Sequence, residues 1–320
     1  KEVRVAIVHE MLTKLGGAER VVQDLLQIFP DAHLYTLLYD EVRVGNAFPK
    51  ESVRVAKPAQ RIFRLVKKPR LCLPFMKRAV ESLDLLSYDL VISSSSGFAH
   101  GCLTWTNTQH ICYYHSPARY LWDATHEIQA ELSAWLPNFK YQMPNEGNKW
   151  IWNLVFGTWN FLKALPVSIL FSRLRIWDLE ASRRPDVVIA NSKEVGSRIK
   201  KYYRREVDHV VYPTTDINRF LIGKKALGKR DYYVTWGALT PFKRHDLTIQ
   251  AFNELGYPLK IFGAGADEAR LRSLASENVE FLGRISDQEQ ENLYQWARGF
   301  IMSNKEDFGI TPICLLYTSD

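Results

Sequence analysis

Between Tyr232 and Ser303 four short apolar runs alternate with three amphipathic stretches. The runs are Tyr232–Trp236, Leu259–Phe262, Val279–Leu282 and Phe300–Ser303; the stretches are Asp246–Leu255, Asp267–Ala275 and Asp287–Ala297. Such brief apolar runs predict buried strands of a parallel sheet, and the stretches predict helices covering both faces. In such a sheet ligands bind just beyond the carboxyl ends of the strands. Three features stand there: Gly237 with a following loop that carries Lys243 and Arg244, the run Gly263-Ala264-Gly265, and a loop after Ser303 that presents Glu306 before Phe308, Gly309 and Ile310. They are predicted to converge on one crevice.

The first half repeats the rhythm with longer insertions. Val3–Val8 predicts a buried first strand, Gly16-Gly17 a loop, and Glu19–Phe29 a helix ended by Pro30. Strand, glycine loop and helix aim backbone N–H groups at an anion. The loop is not a full G-x-G-x-x-G, and a tight turn that merely uses two glycines is the alternative. Further strands are predicted at His33–Tyr39, Val53–Ala56, Asp89–Ile92, His110–Tyr114, Pro185–Asn191 and Val207–Tyr212, with a helix at Lys193–Tyr203. Ser93 to Gly97 reads as a polar loop at a strand end. His115, just past another strand end, can hydrogen-bond a sugar hydroxyl or a phosphate, or it is structural. The chain of 320 residues thus divides into a first domain over 1–212, a linker over 213–230 and a second domain over 231–320.

A net charge of +7 points to an anionic partner, nucleotide or phospholipid. No nucleic-acid motif is present, which disfavours a nucleic-acid partner. Lys57 to Arg78 holds eight basic residues and no acidic one, interleaved with apolar residues. Arg61, Arg64 and Lys68 are predicted on one helical face, and Ile62, Leu65 and Val66 on another. The segment either lies on an anionic membrane or is a solvated helix packed on its own domain. Trp150–Phe171 has the length of a membrane span, yet Gly157 and Pro166 make it read as two short helices in an interface or packed on the domain. Cys72, Cys102, Cys112 and Cys314 form no C-x-x-C pair and suit a reducing, cytoplasmic setting, with peripheral attachment to the inner membrane face.

The site chemistry follows from residue types. Lys243 and Arg244 before a helix N-terminus can neutralise a diphosphate. Gly263 and Gly265 permit close backbone approach, and Glu306 suits two hydroxyls of a ribose or hexose. An exposed surface lysine and a solvated loop carboxylate are the plainer alternatives.

Together these stretches resemble the retaining glycosyltransferases of family 4, whose two Rossmann-like domains face a cleft in the architecture called GT-B. The resemblance rests on Gly16-Gly17-Ala18-Glu19, Cys112-Tyr113-Tyr114-His115-Ser116-Pro117, Asn191-Ser192, Pro241-Phe242-Lys243-Arg244-His245-Asp246, Phe262-Gly263-Ala264-Gly265, Phe281-Leu282-Gly283 and Glu306-Asp307-Phe308-Gly309-Ile310. The segments His115 to Asp123 and Arg175 to Asp178 look most like the mannosyltransferases of O-antigen and other cell-surface polysaccharides. The resemblance implies a donor diphosphate between the Gly16-Gly17 loop and Lys243, a nucleobase along the backbone near Ile285, and a ribose or sugar at Glu306. It implies Phe308, Gly309 and Ile310 facing the donor, and His115 lining the sugar. It further implies a nucleotide-sugar donor such as GDP-mannose, a lipid-linked or polysaccharide acceptor, and no cofactor or metal. A non-catalytic binding protein and a sugar-nucleotide epimerase are the competing readings.

Two departures stand out. The family places an Arg after the glycine of the first strand of its second domain, where this chain has Ala238. It places a second Glu eight positions after the first, where this chain has Cys314. Residues from about Cys314 onward are expected to be non-native, leaving the second domain incomplete.

Overall fold

The computed structural model describes residues 3–48, 50–126, 129, 167–214, 230–304 and 307–308. The chain splits into two compact units, Lys1–Pro213 and Thr214–Asp320; the expected linker falls mostly outside the described residues.

The first unit carries a sheet of seven strands in the order β3-β2-β1-β4-β5-β6-β7, every pair parallel. The strands are β1 Val5–Leu12, β2 His33–Tyr39, β3 Val53–Val55, β4 Leu90–Ser95, β5 Gln109–Tyr114, β6 Val187–Ala190 and β7 His209–Val210. The order reverses between β1 and β4, so the switch point of the sheet lies beyond their carboxyl ends. One face buries Phe63, Met76, Leu85 and Phe171 with Val8 and Val91; the other buries Val22, Leu34 and Phe48 with Ile7.

Two strand ends correct the sequence reading. β1 runs on past Val8 through His9 and Glu10 to Leu12. β4 runs on through Ser93, Ser94 and Ser95, which were expected in a loop. All five polar residues are buried. Local polarity argued for exposure; partners from other strands, described below, make burial tolerable.

The basic segment forms helices Lys57–Val66 and Leu73–Glu81 joined by a short turn. Of the expected apolar face, Ile62 and Val66 pack against the core and Leu65 does not. Ala59, Gln60 and Phe63 turn inward, whereas Leu65 is 85% exposed beside Arg61 and Arg64. Of Trp150–Phe171, residues 150–166 lie outside the described residues. The rest opens a helix over 167–181, where Phe171, Leu174 and Trp177 pack into the core. Among the described residues no helix is long and apolar enough to cross a membrane. Cys72, Cys102 and Cys112 are free and buried; burial pushes the Cys102 thiol up to about 12, which leaves it inert.

The second unit carries four parallel strands in the order β10-β9-β8-β11: β8 Tyr232–Trp236, β9 Leu259–Phe262, β10 Val279–Gly283 and β11 Ala297–Phe300. Helices His245–Leu255, Glu268–Leu274 and Asp287–Gln295 alternate with them. β11 lies three residues before its expected place. Ala297 pairs with Tyr232 and Phe300 with Val234, and the helix before it stops at Trp296. The capping box of Ser286 and Glu289 fixes where that helix starts. The switch point of this sheet lies between β8 and β11.

Candidate functional site

In the second unit, the carboxyl ends of the strands are locked together by glycines. Gly237, Gly263 and Gly283 follow or end β8, β9 and β10 with φ of 141°, 132° and 70°. A Cβ on Gly263 would lie 1.9 Å from the carbonyl oxygen of Gly237, and one on Gly265 would lie 2.0 Å from that of Leu239. The close approach expected of these glycines is therefore made by the chain's own backbone. It lets the N–H of Leu239 bond the carbonyl of Ala264, and that of Gly263 bond the carbonyl of Gly283.

On this platform the Pro241–Lys243 turn carries Lys243 back over β8, its Cε 3.9 Å from where a Cβ of Gly237 would stand. Arg244, left-handed at φ 53°, is committed elsewhere. Its Nε donates to Asp246 Oδ1 at 3.1 Å and a second nitrogen to Oδ2 at 3.4 Å, and this pairing holds the Asp246 carboxyl below its ordinary value. Of the two cations expected to serve a diphosphate, Arg244 is thus bound to Asp246. His245 is buried behind Lys243. Burial, then the Lys243 charge, lowers its pKa, so the ring is neutral at the helix N-terminus.

Ser303, just past β11, donates toward the carbonyls of Arg244 at 2.7 Å and Lys243 at 3.3 Å. This side chain, read from the sequence only as the end of a strand, ties the segment leading to residues 305–306 onto the Lys243 turn. Glu306, Gly309, Ile310 and Cys314 lie outside the described residues. Phe308 is half-buried, and Ile285 is half-buried beside Leu282 where β10 has ended.

In the first unit, the Gly16-Gly17 loop opens the helix Gly17–Ile28 with Gly16 as N-cap. A carboxylate already sits there: Glu19 is buried, its Oε2 2.9 Å from the place of a Gly16 Cβ. Burial opposes its ionisation, but the hydrogen bond and charge of His9 outweigh that and hold it below its ordinary value. His9 Nε2 faces Glu19 Oε1 at 3.9 Å. Burial likewise opposes the His9 charge, but Glu19 and Glu10 outweigh it and raise its pKa.

Glu10 occupies the switch point itself. One carboxylate oxygen accepts the N–H groups of Ser96, Gly97, Phe98 and Ala99 at 2.8 to 3.0 Å, and the hydroxyl of Ser95 at 3.0 Å. Burial is again outweighed, by His9 and these N–H groups, and the carboxyl is held low. Ser95 leads on to His100, 3.0 Å away, and His100 Nε2 lies 3.3 Å from Asp178 Oδ1, both residues fully buried.

His115 follows β5, half-buried, its Nε2 2.8 Å from Ser94 Oγ. Asn191 donates to the His115 carbonyl at 3.1 Å, which ties two of the quoted stretches together. The segments His115 to Asp123 and Arg175 to Asp178 also dock on each other. Trp122 Nε1 donates to Asp178 Oδ2 at 2.8 Å and Arg175 Nε to the Leu121 carbonyl at 3.0 Å. His9, Glu10, Ser94 and Asp178 were not among the predicted site residues. Two charged residues ending an apolar strand were the available signal. Among the described residues no three His, Cys, Asp or Glu side chains converge as a metal site.

Two family models match the chain. Glycosyltransferase Family 4 matches residues 15–219, and Glycosyl transferases group 1 matches residues 218–313. No curated protein matches it by sequence. Among solved structures it is similar to HepE of Anabaena, crystallised with UDP and glucose and with UDP-glucose. Each of the two aligns at TM-score 0.57 and 14% identity, over 98% of this chain and 78% of HepE. At that identity the likeness concerns the fold, that of GT-B glycosyltransferases.

Proposed function

This chain belongs to Glycosyltransferase Family 4, and from that premise we propose that it moves mannose from GDP-mannose to a lipid-linked oligosaccharide or polysaccharide precursor, with retention at the anomeric carbon. The observation that carries the donor half is Lys243, folded over Gly237 at the switch point of the second sheet with Arg244 bound to Asp246. A cation there, beside the N-terminus of His245–Leu255, stabilises the diphosphate as it leaves. With that charge met by Lys243 and the helix, transfer proceeds without a metal. Glu306 holds a ribose or sugar hydroxyl pair, and the nucleobase lies near Ile285. Mannose is favoured by the docked segments around Trp122 and Asp178, the stretches that most resemble polysaccharide mannosyltransferases.

Attachment to an anionic membrane belongs to the same reading. Leu65, 85% exposed, and Phe75, 40% exposed, stand in the Lys57–Arg78 segment among its basic side chains. Apolar side chains flanked by cations suit the surface where a lipid-linked acceptor resides.

Calorimetric titration with GDP, GDP-mannose, UDP and UDP-glucose tests the donor. One nucleotide should bind in the micromolar range, and Lys243→Ala should weaken it at least about tenfold, the worth of one charge-assisted hydrogen bond. Absence of binding by all four sinks the reading. A second reading, a sugar-nucleotide-binding protein without turnover, is favoured by Ala238 and by the commitment of Arg244 to Asp246. Tight binding without transfer to any acceptor would select it.

A further inference from the structure

We propose that Ser94 and His9 are positioning residues that lock His115 with its proton on Nδ1, so that the ring meets a sugar as a hydrogen-bond donor and not as a base. The three side chains cross the switch point of the first sheet, from β1 through β4 to the end of β5. His9 and Ser94 are register partners, and His115 follows Tyr114, the partner of Ser95.

Hydrogen-bond bookkeeping leaves one arrangement. His9 Nδ1 lies 3.2 Å from the Ser94 carbonyl oxygen and 3.1 Å from Ser94 Oγ. A carbonyl oxygen only accepts, so this nitrogen carries a proton. Glu19 Oε1, 3.9 Å from Nε2 on the other side of the ring, favours a proton there as well. Ser94 Oγ therefore receives from His9 and keeps one hydrogen of its own. Ser94 is fully buried, and the acceptor its hydroxyl faces is His115 Nε2 at 2.8 Å. Were His115 Nε2 to donate instead, the serine would accept twice and leave a buried hydroxyl hydrogen without an acceptor, an arrangement native interiors avoid. Nε2 is thus the bare nitrogen and Nδ1 the protonated one. An apolar residue at position 94 would leave the tautomer unassigned, and a loop there, as expected from four consecutive serines, would not hold the hydroxyl between two rings.

The tautomer stands on geometry alone; its use on a sugar rests on the reading of this chain as a glycosyltransferase. The two are separated by one set of measurements on the whole protein carrying isotope-labelled histidine. Long-range proton–nitrogen correlation at neutral pH should show His115, assigned by its loss in His115→Gln, with Nδ1 protonated and Nε2 bare. In Ser94→Ala the proton should move wholly or partly to Nε2 while the other histidine signals stay in place. A wild-type His115 protonated on Nε2, or a tautomer unchanged in Ser94→Ala, overturns the proposal. Should Ser94→Ala not fold, the wild-type spectrum alone decides. Ser94→Ala should also weaken GDP-mannose roughly tenfold while leaving GDP unchanged, the signature of one lost hydrogen bond to the sugar. The expected tautomer with no sugar-specific loss refutes the donor role and keeps the lock. No nucleotide binding in the wild type refutes the transferase reading and leaves the tautomer result standing.

Discussion

At the scale of the residue, the first unit places two neighbouring charges, His9 and Glu10, inside a strand, and their shifts set how stability follows pH. The His9 pKa is raised above 6.5, so above that pH the folded state keeps a proton the unfolded chain has released. Stability from His9 is complete below 6.5 and is lost as pH rises through the folded value, by at most about 1.4 kcal/mol per pH unit. His33, His110 and His245 are lowered, His110 to about 3 by burial, and act only on the acid side. Denaturant midpoints should therefore fall as pH rises above 6.5, and the fall should vanish in His9→Gln. A slope that survives the substitution counts against the assignment. Glu10 has the opposite sign: its contribution is present above the ordinary carboxylate range and is lost on acidification. Glu10→Ala strands the four N–H groups of Ser96 to Ala99 and should cost about 4 kcal/mol in urea unfolding. None of this was legible beforehand. An apolar run that meets His and Glu reads as a strand ending, because a sequence does not show which donors will reach a carboxylate.

At the scale of the element, the interlocked glycine turns separate two kinds of glycine. Gly263 and Gly256 both have positive φ, 132° and 70°. A Cβ on Gly256 meets nothing within 4 Å, whereas one on Gly263 meets the Gly237 carbonyl at 1.9 Å. Gly256→Ala should cost about 1 kcal/mol, and Gly263→Ala about 3 kcal/mol or more together with a displaced Lys243 turn. Equal losses in thermal unfolding would remove the interlock from the account. The G-A-G run after an apolar strand announced a close approach; what approaches was not in the pattern. Ser303 makes a milder test. Ser303→Ala frees the segment after β11 from the carbonyls of Lys243 and Arg244 and should weaken nucleotide binding several-fold, about 1 kcal/mol, with the fold intact. Calorimetry on the variant checks it, and unchanged affinity would mean that the tether does not bear on the donor. The serine run of β4 carries the converse lesson. Hydroxyls at alternate faces of a central strand were mistaken for a loop, because their partners are distant in sequence: His110 on β5, His115 just past it and Glu10 on β1.

At the scale of the whole molecule, each unit owns a parallel sheet and its own core clusters. The first unit should therefore fold alone. Residues 1–213 expressed by themselves should give one cooperative unfolding transition with native-like circular dichroism; a chain without such a transition refutes its autonomy. The basic helix supplies a second test at this scale. Arg61→Glu with Arg64→Glu removes two cations worth about 1 kcal/mol each near an anionic surface. Sedimentation with anionic vesicles at low salt should fall at least about tenfold, and equal sedimentation of variant and wild type would argue for a merely solvated helix.

By itself the sequence determined the strand–helix alternation, the two-domain layout and the place of Gly237, Lys243 and His115 at strand ends, because these depend on periodicity and on residue types that act locally. Tertiary structure alone decided that Arg244 binds Asp246, that the glycines interlock with the chain's own backbone, that Leu65 faces outward, and that His9, Glu10 and Ser94 are inside. Each of those outcomes turns on a partner distant in sequence or on which face a neighbour happens to cover. A buried charge or hydroxyl is tolerated only by groups that the fold itself brings to it.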